Sequence, residues 1–168
     1  MRKVFTLAIV HADGRILLGK KLQKIGAGLW NGFGGKVESG EVILDAAIRE
    51  CQEEVGITPS AITWQGILYF HYPDEPLGAS EHEVHVFSVT KFSGRPKATP
   101  EMDAPTWFSQ AEIPYDSMWA DDVFWLPLLL AGKSFAGKFV FDMQGRIVEQ
   151  YLTEVKNVAN AFTDRIIS

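Results

Sequence analysis

Gly35-Lys36-Val37-Glu38-Ser39-Gly40-Glu41-Val42-Ile43-Leu44-Asp45-Ala46-Ala47-Ile48-Arg49-Glu50-Cys51-Gln52-Glu53-Glu54-Val55-Gly56-Ile57 is the stretch on which the reading of this chain turns. Neither Gly nor Pro interrupts Val42 to Val55, and Gly56 follows where a helix C-cap belongs, so a helix is expected over Val42–Val55. Leu44, Ala47, Ile48, Cys51 and Val55 recur at helical spacing and predict its buried face. Glu50, Glu53 and Glu54 stand at i, i+3 and i+4, which places three carboxylates on one side, away from that face. Like charges so spaced destabilise a helix, and Arg49 is expected to relieve one of them. A hard divalent cation would relieve all three; a solvated acidic face is the alternative, and spacing alone leaves both open.

Immediately upstream, Lys24 to Gly35 contains five glycines (Gly26, Gly28, Gly32, Gly34, Gly35) around Trp30, Asn31 and Phe33. That density excludes a helix and suits a functional loop with a short strand, because glycine lets backbone amides and carbonyls come close to a phosphate or a metal. Further toward the amino terminus, Val4 to Val10 is rich in β-formers, and Ala12-Asp13-Gly14-Arg15 turns the chain into Ile16-Leu17-Leu18 as a hairpin. Downstream, strands are expected at Ile62–Tyr72, Glu83–Phe92, Thr106–Phe108, Phe139–Phe141 and Ile147–Leu152, with a second helix over Asp122–Leu130. Strands before and after the first helix favour a mixed α/β domain over an all-β one. A single domain is expected over residues 1–155, and residues 156–168 form a tail that is a short helix or frayed.

Composition narrows the function classes. A chain of 168 residues suits one domain with a sizeable core. The longest apolar run, Trp125 to Leu130, is broken by Pro127 and far too short to span a bilayer. The amino terminus lacks the apolar stretch of a secretory leader, so a cytoplasmic location with no membrane partner is expected. A lone cysteine, Cys51, leaves no internal disulfide framework or multi-cysteine metal site, and its place on the helix predicts burial. The net charge of −5 argues against a partner that is a nucleic acid polymer, which needs clustered Lys and Arg.

Gly35, Glu41, Arg49, Glu50, Glu53, Glu54 and Gly56, with Cys51 and Ile57 at aliphatic positions, resemble the signature box of the Nudix hydrolases without a gap. The resemblance implies a Nudix α/β/α sandwich with a mixed sheet and a Mg²⁺ cofactor, with Mn²⁺ able to substitute. It assigns the metal to Glu50, Glu53 and Glu54 with the Gly34 carbonyl, gives Arg49 the task of orienting a glutamate, and makes Glu41 a tie between loop and helix. The first choice as base is Glu54. Glu101, in Thr99-Pro100-Glu101-Met102, stands where related enzymes carry a distant loop acid that serves as ligand or base; a solvated loop carboxylate is its plain alternative.

Beyond the box, Gly26 to Lys36, Val84-His85-Val86-Phe87 and Met118-Trp119-Ala120-Asp121-Asp122 resemble the branch of the family that hydrolyses oxidised purine nucleoside triphosphates. That branch implies cleavage of 8-oxo-dGTP and 2-hydroxy-dATP to monophosphate and pyrophosphate by a monomer, as nucleotide-pool sanitation that prevents DNA damage. It puts Phe70 and Trp119 on the purine faces, Asn31, Asp121 and Asp122 on the hydrogen-bonding edges, Thr6 on the base side and Lys21 on the phosphates. Neighbouring carboxylates in a partly dry pocket cannot both ionise cheaply, so one can keep a proton and donate while the other accepts. Read without the resemblance, Trp119 is core, Phe70 fills the sheet and Asp121-Asp122 cap the second helix. Ile25, His82 and Ala120 depart from the branch pattern, and His82 receives no role. The alternatives are a Nudix enzyme for an alkylated purine triphosphate or a nucleotide sugar, and a catalytically silent nucleotide-binding module.

Overall fold

Asp13 and Gly14 both take positive φ (52° and 72°), the pairing a two-residue hairpin turn requires, and they fold the first strand back on the second with Ala12 opposite Arg15. From that hairpin the computed structural model, which describes residues 2–72 and 80–163, runs β1 (Arg2–Ala12), β2 (Arg15–Lys20), β3 (Trp30–Asn31), α1 (Ile43–Val55), β4 (Thr58–Tyr72), β5 (Ser80–Ser93), β6 (Thr106–Ser109), α2 (Asp122–Leu130), β7 (Phe135–Phe141), β8 (Ile147–Glu154) and α3 (Val158–Thr163). The sheet has eight strands in the order β3-β2-β1-β5-β4-β7-β8, with β6 pairing β2. β1/β2, β2/β3, β2/β6 and β7/β8 are antiparallel and β4/β7 is parallel, so the sheet is mixed as expected. The expected tail helix is α3; the rest of that tail, 164–168, lies outside the described residues.

The chain falls into two compact units. One, the α1 unit, comprises Thr6–Thr63 and Phe87–Trp119; the other, the α2 unit, comprises the described residues of Met1–Phe5, Trp64–Val86 and Ala120–Ser168.

In the α1 unit, Ala8, Val10, Leu17, Phe33, Cys51, Val55, Ile57, Val89 and Met102 form one buried cluster. Helix α1 begins at Ile43, one residue later than read from sequence, because Val42 is extended and serves as its N-cap. It ends at Gly56, whose left-handed backbone (φ 75°) lets its N–H donate back to the Gln52 carbonyl at 3.1 Å. Leu44, expected in the core, is 42% exposed; it lies in the first turn, where the small Ala46 and Ala47 face inward instead. The buried stripe is Ala46, Ala47, Glu50, Cys51, Glu54 and Val55. Two of the three carboxylates expected on the outer side are therefore on the inner one.

In the α2 unit, β7 alternates Phe135, Gly137, Phe139 and Phe141 with Ala136, Lys138 and Val140 on the other face. Trp125 of α2 stacks on Phe135 at 5.7 Å, while Val158 and Ala161 of α3 join Ile67 and Ala136 in a second cluster. Helices thus cover both faces of this strand. Gln65 Nε2 donates to the carbonyls of Leu129 (2.8 Å) and Lys133 (2.9 Å), which fastens the carboxyl end of α2 to β4. β7 starts four residues before the expected Phe139, since its pairing with β4 holds the weak strand-formers Ala136 and Gly137 extended.

Candidate active site

Within the α1 unit the glycine loop runs beside β1: Thr6 N–H donates to Gly35 O (2.9 Å), and Ala8 and Phe33 exchange both backbone bonds (2.7 and 3.0 Å). The approach leaves no room for side chains. A Cβ on Gly34 would overlap the Thr6 carbonyl, and one on Gly35 would lie 2.5 Å from Glu50 Oε1. The Gly34 N–H donates to Glu54 Oε2 at 2.9 Å, so the loop touches two helix carboxylates through its backbone.

Arg49 organises the remainder. Its Nε and Nη2 donate to the two oxygens of Glu41 (2.7 and 2.9 Å), Nη1 donates to Glu50 Oε1 (2.7 Å) and Glu53 Oε2 (3.1 Å), and Nη2 also reaches the Lys36 carbonyl (3.2 Å). Arg49 therefore neutralises two of the three helix carboxylates, one more than spacing suggested, because its planar fork spans both. Glu41 Oε2 also accepts the Glu38 N–H at 2.9 Å, and ties loop to helix as the resemblance implied. Hydrogen bonds from the Arg49 side chain and the Glu38 backbone hold the Glu41 carboxyl down at about 2, and its guanidinium partner is shifted upward in return.

Glu50 and Glu54 are buried (8% and 2% exposed), whereas the Glu53 side chain is 57% exposed. Desolvation raises the Glu50 carboxyl against the opposing pull of Arg49. It raises Glu54 to about 7, against the Gly34 N–H and the positive charge of Lys21, with Glu50 and Glu101 adding to the rise. Burial likewise pushes the Cys51 thiol to about 12, which makes it an inert core residue. Glu101 lies in a fastened segment: Leu22 N–H donates to its carbonyl (3.1 Å), Asp103 N–H donates to Lys20 O (2.9 Å), and Thr99 Oγ1 donates to Glu54 O (2.9 Å). Its side chain pairs with Lys24 at 3.3 Å.

These groups fit a hard divalent cation by chemistry. The donors are oxygens, two of the carboxylates are costly to ionise unpaired, and glycine backbone packs against them. Among the described residues no three His, Cys, Asp or Glu side chains are grouped as a ready cage; Arg49 bonds Glu50 and Glu53, and the Gly34 N–H is donated to Glu54. Elsewhere in this unit, the Thr6 hydroxyl is buried and has no hydrogen-bond partner among the described residues. Asn31 Oδ1 accepts the Gly32 N–H (2.9 Å) and so supports its own turn, and the Trp119 indole lies 3.2 Å from where a Gly26 Cβ would stand.

In the α2 unit, Asp121 and Asp122 are each 3% exposed. The helix-cap alternative fails for Asp121, which stands at the N-cap of α2 and makes no side-chain cap bond there; instead its Oδ2 accepts the Trp125 indole N–H at 2.8 Å. Burial raises the Asp121 carboxyl, so it holds a proton more readily than a solvated aspartate. Phe70 stacks on Phe139 (5.8 Å) and meets the Phe141 ring at a tilt (6.1 Å). His82, unassigned from sequence, sits between the rings of Phe5 (4.8 Å) and Tyr72 (5.0 Å). Sequence reasoning also missed Thr99 and Lys24, whose partners are too distant along the chain for any spacing signal.

Comparison with known proteins bears directly on this geometry. The family model described as the NUDIX domain matches residues 1–129. The chain is 43% identical over 157 residues, 93% of its length and 97% of the other's, to the oxidized purine nucleoside triphosphate hydrolase of Danio rerio. It is 41% identical to the protein of the same description from Mus musculus, over 91% of this chain and 96% of that one. Among solved structures it resembles the MutT protein of Bacillus halodurans with a TM-score of 0.78 and 29% identity, over 89% of this chain and 97% of that one.

Proposed function

Because this chain belongs to the Nudix family, we propose that it hydrolyses oxidised purine nucleoside triphosphates, 8-oxo-dGTP and 2-hydroxy-dATP, to the monophosphate and pyrophosphate. The observation that carries the substrate class is likeness to two animal hydrolases of that description over more than nine-tenths of the chain, far beyond the box alone. The catalytic domain is taken as residues 1–155, working as a cytoplasmic monomer that sanitises the nucleotide pool.

Hydrolases of this family generally need a divalent metal ion, here Mg²⁺ with Mn²⁺ as substitute, and Glu50, Glu53, Glu54 and Glu101 with the Gly34 carbonyl are the groups that would hold it. Bound there, the cation supplies charge neutralisation for the triphosphate and a more acidic water. Glu54, a buried carboxylate that the Gly34 N–H holds in place, is assigned the proton of the attacking water. Water attacks one of the two phosphorus atoms that flank the α–β bridging oxygen, that phosphorus's bond to the bridge breaks, and the nucleoside monophosphate and pyrophosphate separate. Arg49 holds Glu50, Glu53 and Glu41 in one geometry throughout, which keeps reorganisation small. Lys21, whose charge is felt at Glu54, is assigned to the phosphates.

For the base, Thr6 brings an unpartnered buried hydroxyl, Asn31 an amide and Trp119 an indole face, while Phe70 brings a ring and Asp121-Asp122 a buried acidic pair. A carboxyl that keeps its proton donates where its ionised neighbour accepts, which suits the altered edge of an oxidised purine. The test is kcat/KM on a panel of 8-oxo-dGTP, 2-hydroxy-dATP, dGTP, an O6-alkylated dGTP and a nucleotide sugar, with products resolved. Pyrophosphate from the oxidised substrates at the highest kcat/KM supports the assignment; a preference for dGTP or the sugar, or initial release of orthophosphate, overturns it.

A further inference from the structure

Lys24 adopts a left-handed backbone (φ 64°), a conformation shared by one other non-glycine residue among those described, Asp13 of the β1–β2 turn. A short polar side chain such as that of Asp is at home there; a long aliphatic one is not, and such outliers persist where surrounding structure holds them. The surroundings do hold it. Gly28 N–H donates to Lys21 O (2.8 Å), Ala27 N–H to Lys24 O (3.3 Å), and Gln23 Nε2 to Pro100 O (3.1 Å). The outcome is an ammonium 3.3 Å from Glu101 Oε1. Glu101 is itself fixed, through Leu22 on one side and through Thr99, which bonds the Glu54 carbonyl, on the other, and its negative charge is felt at both Glu50 and Glu54.

We propose that Lys24 is a positioning residue that holds Glu101 in the metal-free enzyme and competes with a divalent cation for that carboxylate, so that loading the cation requires the Lys24–Glu101 pair to open. The inference rests on the reading of Glu101 as a ligand in the proposed site. The pair is exposed (66% and 38% for the two side chains), so it yields to a divalent ion readily and weakens with salt. Its effect is a threshold: the cation, alone or carried by a triphosphate, displaces one positive charge before Glu101 is available to it.

The experiment measures Mn²⁺ binding, with Mn²⁺ alone as probe, by electron paramagnetic resonance at low ionic strength. It uses wild type, Lys24→Met, Lys24→Gly, Glu101→Gln and the double variant Lys24→Met/Glu101→Gln. Lys24→Gly relieves the backbone, Lys24→Met preserves it with bulk, and neither residue packs in the core. Expected is Mn²⁺ binding about two- to fivefold tighter in both Lys24 variants, as an exposed pair of this kind predicts. The gain should shrink at high salt and disappear in the Glu101→Gln background. Unchanged or weaker binding in Lys24→Met, while Glu101→Gln weakens binding, overturns the competition and leaves Glu101 a ligand. Unchanged binding in Glu101→Gln overturns the ligand reading itself, and the proposal with it.

Discussion

Glu54→Gln separates two consequences of burying one carboxyl. Folding leaves Glu54 2% exposed and raises its pKa from 4.5 to about 7, chiefly by desolvation. An acid whose folded pKa lies above its unfolded value favours folding when protonated; that contribution is complete below about pH 4.5 and is lost as pH rises through about 7. At about 1.4 kcal/mol per pH unit between those limits, metal-free wild type forgoes about 3 kcal/mol at neutral pH. Glutamine keeps a carbonyl oxygen for the Gly34 N–H and carries no charge. The variant should therefore melt roughly 6–12 °C above wild type at pH 7.5 in chelator, with the gap closing near pH 4.5. Its turnover should fall about 100- to 10,000-fold, since an amide cannot take a proton from water. Thermal unfolding by circular dichroism in EDTA at both pH values, beside pyrophosphate release with saturating Mg²⁺, reads both effects. A variant less stable than wild type at pH 7.5, or one that turns over at the wild-type rate, refutes the reasoning.

Gly35→Ala places a methyl 2.5 Å from Glu50 Oε1 and must displace a carboxylate that Arg49 holds; a loss of about 1–3 kcal/mol in urea unfolding and at least tenfold in kcat is expected. Asp122→Asn should narrow the kcat/KM ratio of 8-oxo-dGTP to dGTP by roughly ten- to a hundredfold while Mn²⁺ affinity is retained, because a fixed amide cannot exchange donor and acceptor roles. Asp121→Asn retains an acceptor for the Trp125 N–H but removes a carboxyl that burial raises. Wild-type stability should fall relative to this variant as pH rises from about 4 to about 6, by at most about 1.4 kcal/mol per pH unit, and level off above, which parallel urea titrations would follow.

The sequence carried most where spacing is physics. The hairpin at Asp13-Gly14 and helix α1 with its Gly56 cap are local, and local geometry is written in residue order; the role of Glu41 as a tie came from the family resemblance, not from spacing. What escaped depends on partners far along the chain. Periodicity put Leu44 inside, yet the tertiary contacts of the first turn select Ala46 and Ala47. The carboxylates of Glu50 and Glu54 read as an outer face because helical spacing does not say which charges a glycine loop will cover. Ala136 and Gly137 lack strand propensity and become strand by pairing with Ile67 and Leu68. The Thr99–Glu54 and Lys24–Glu101 contacts join residues with no shared motif, so no pattern announces them.

The parallel pairing of Gly66 through His71 with Phe135 through Val140 also sets a schedule for biosynthesis. Roughly seventy residues separate the partners, so β4 leaves the ribosome well before the strand that completes its edge, and closing so long a loop is slow. Until β7 arrives, the flank of β4 offers unpaired amides and carbonyls, and β7 itself emerges as Phe135-Ala136-Gly137-Lys138-Phe139-Val140-Phe141, with Lys138 its one charge against self-association. A newly made copy is thus most vulnerable to aggregation late in translation, when the glycine loop and α1 are already synthesised and the strand between β4 and β8 is still to be set in place.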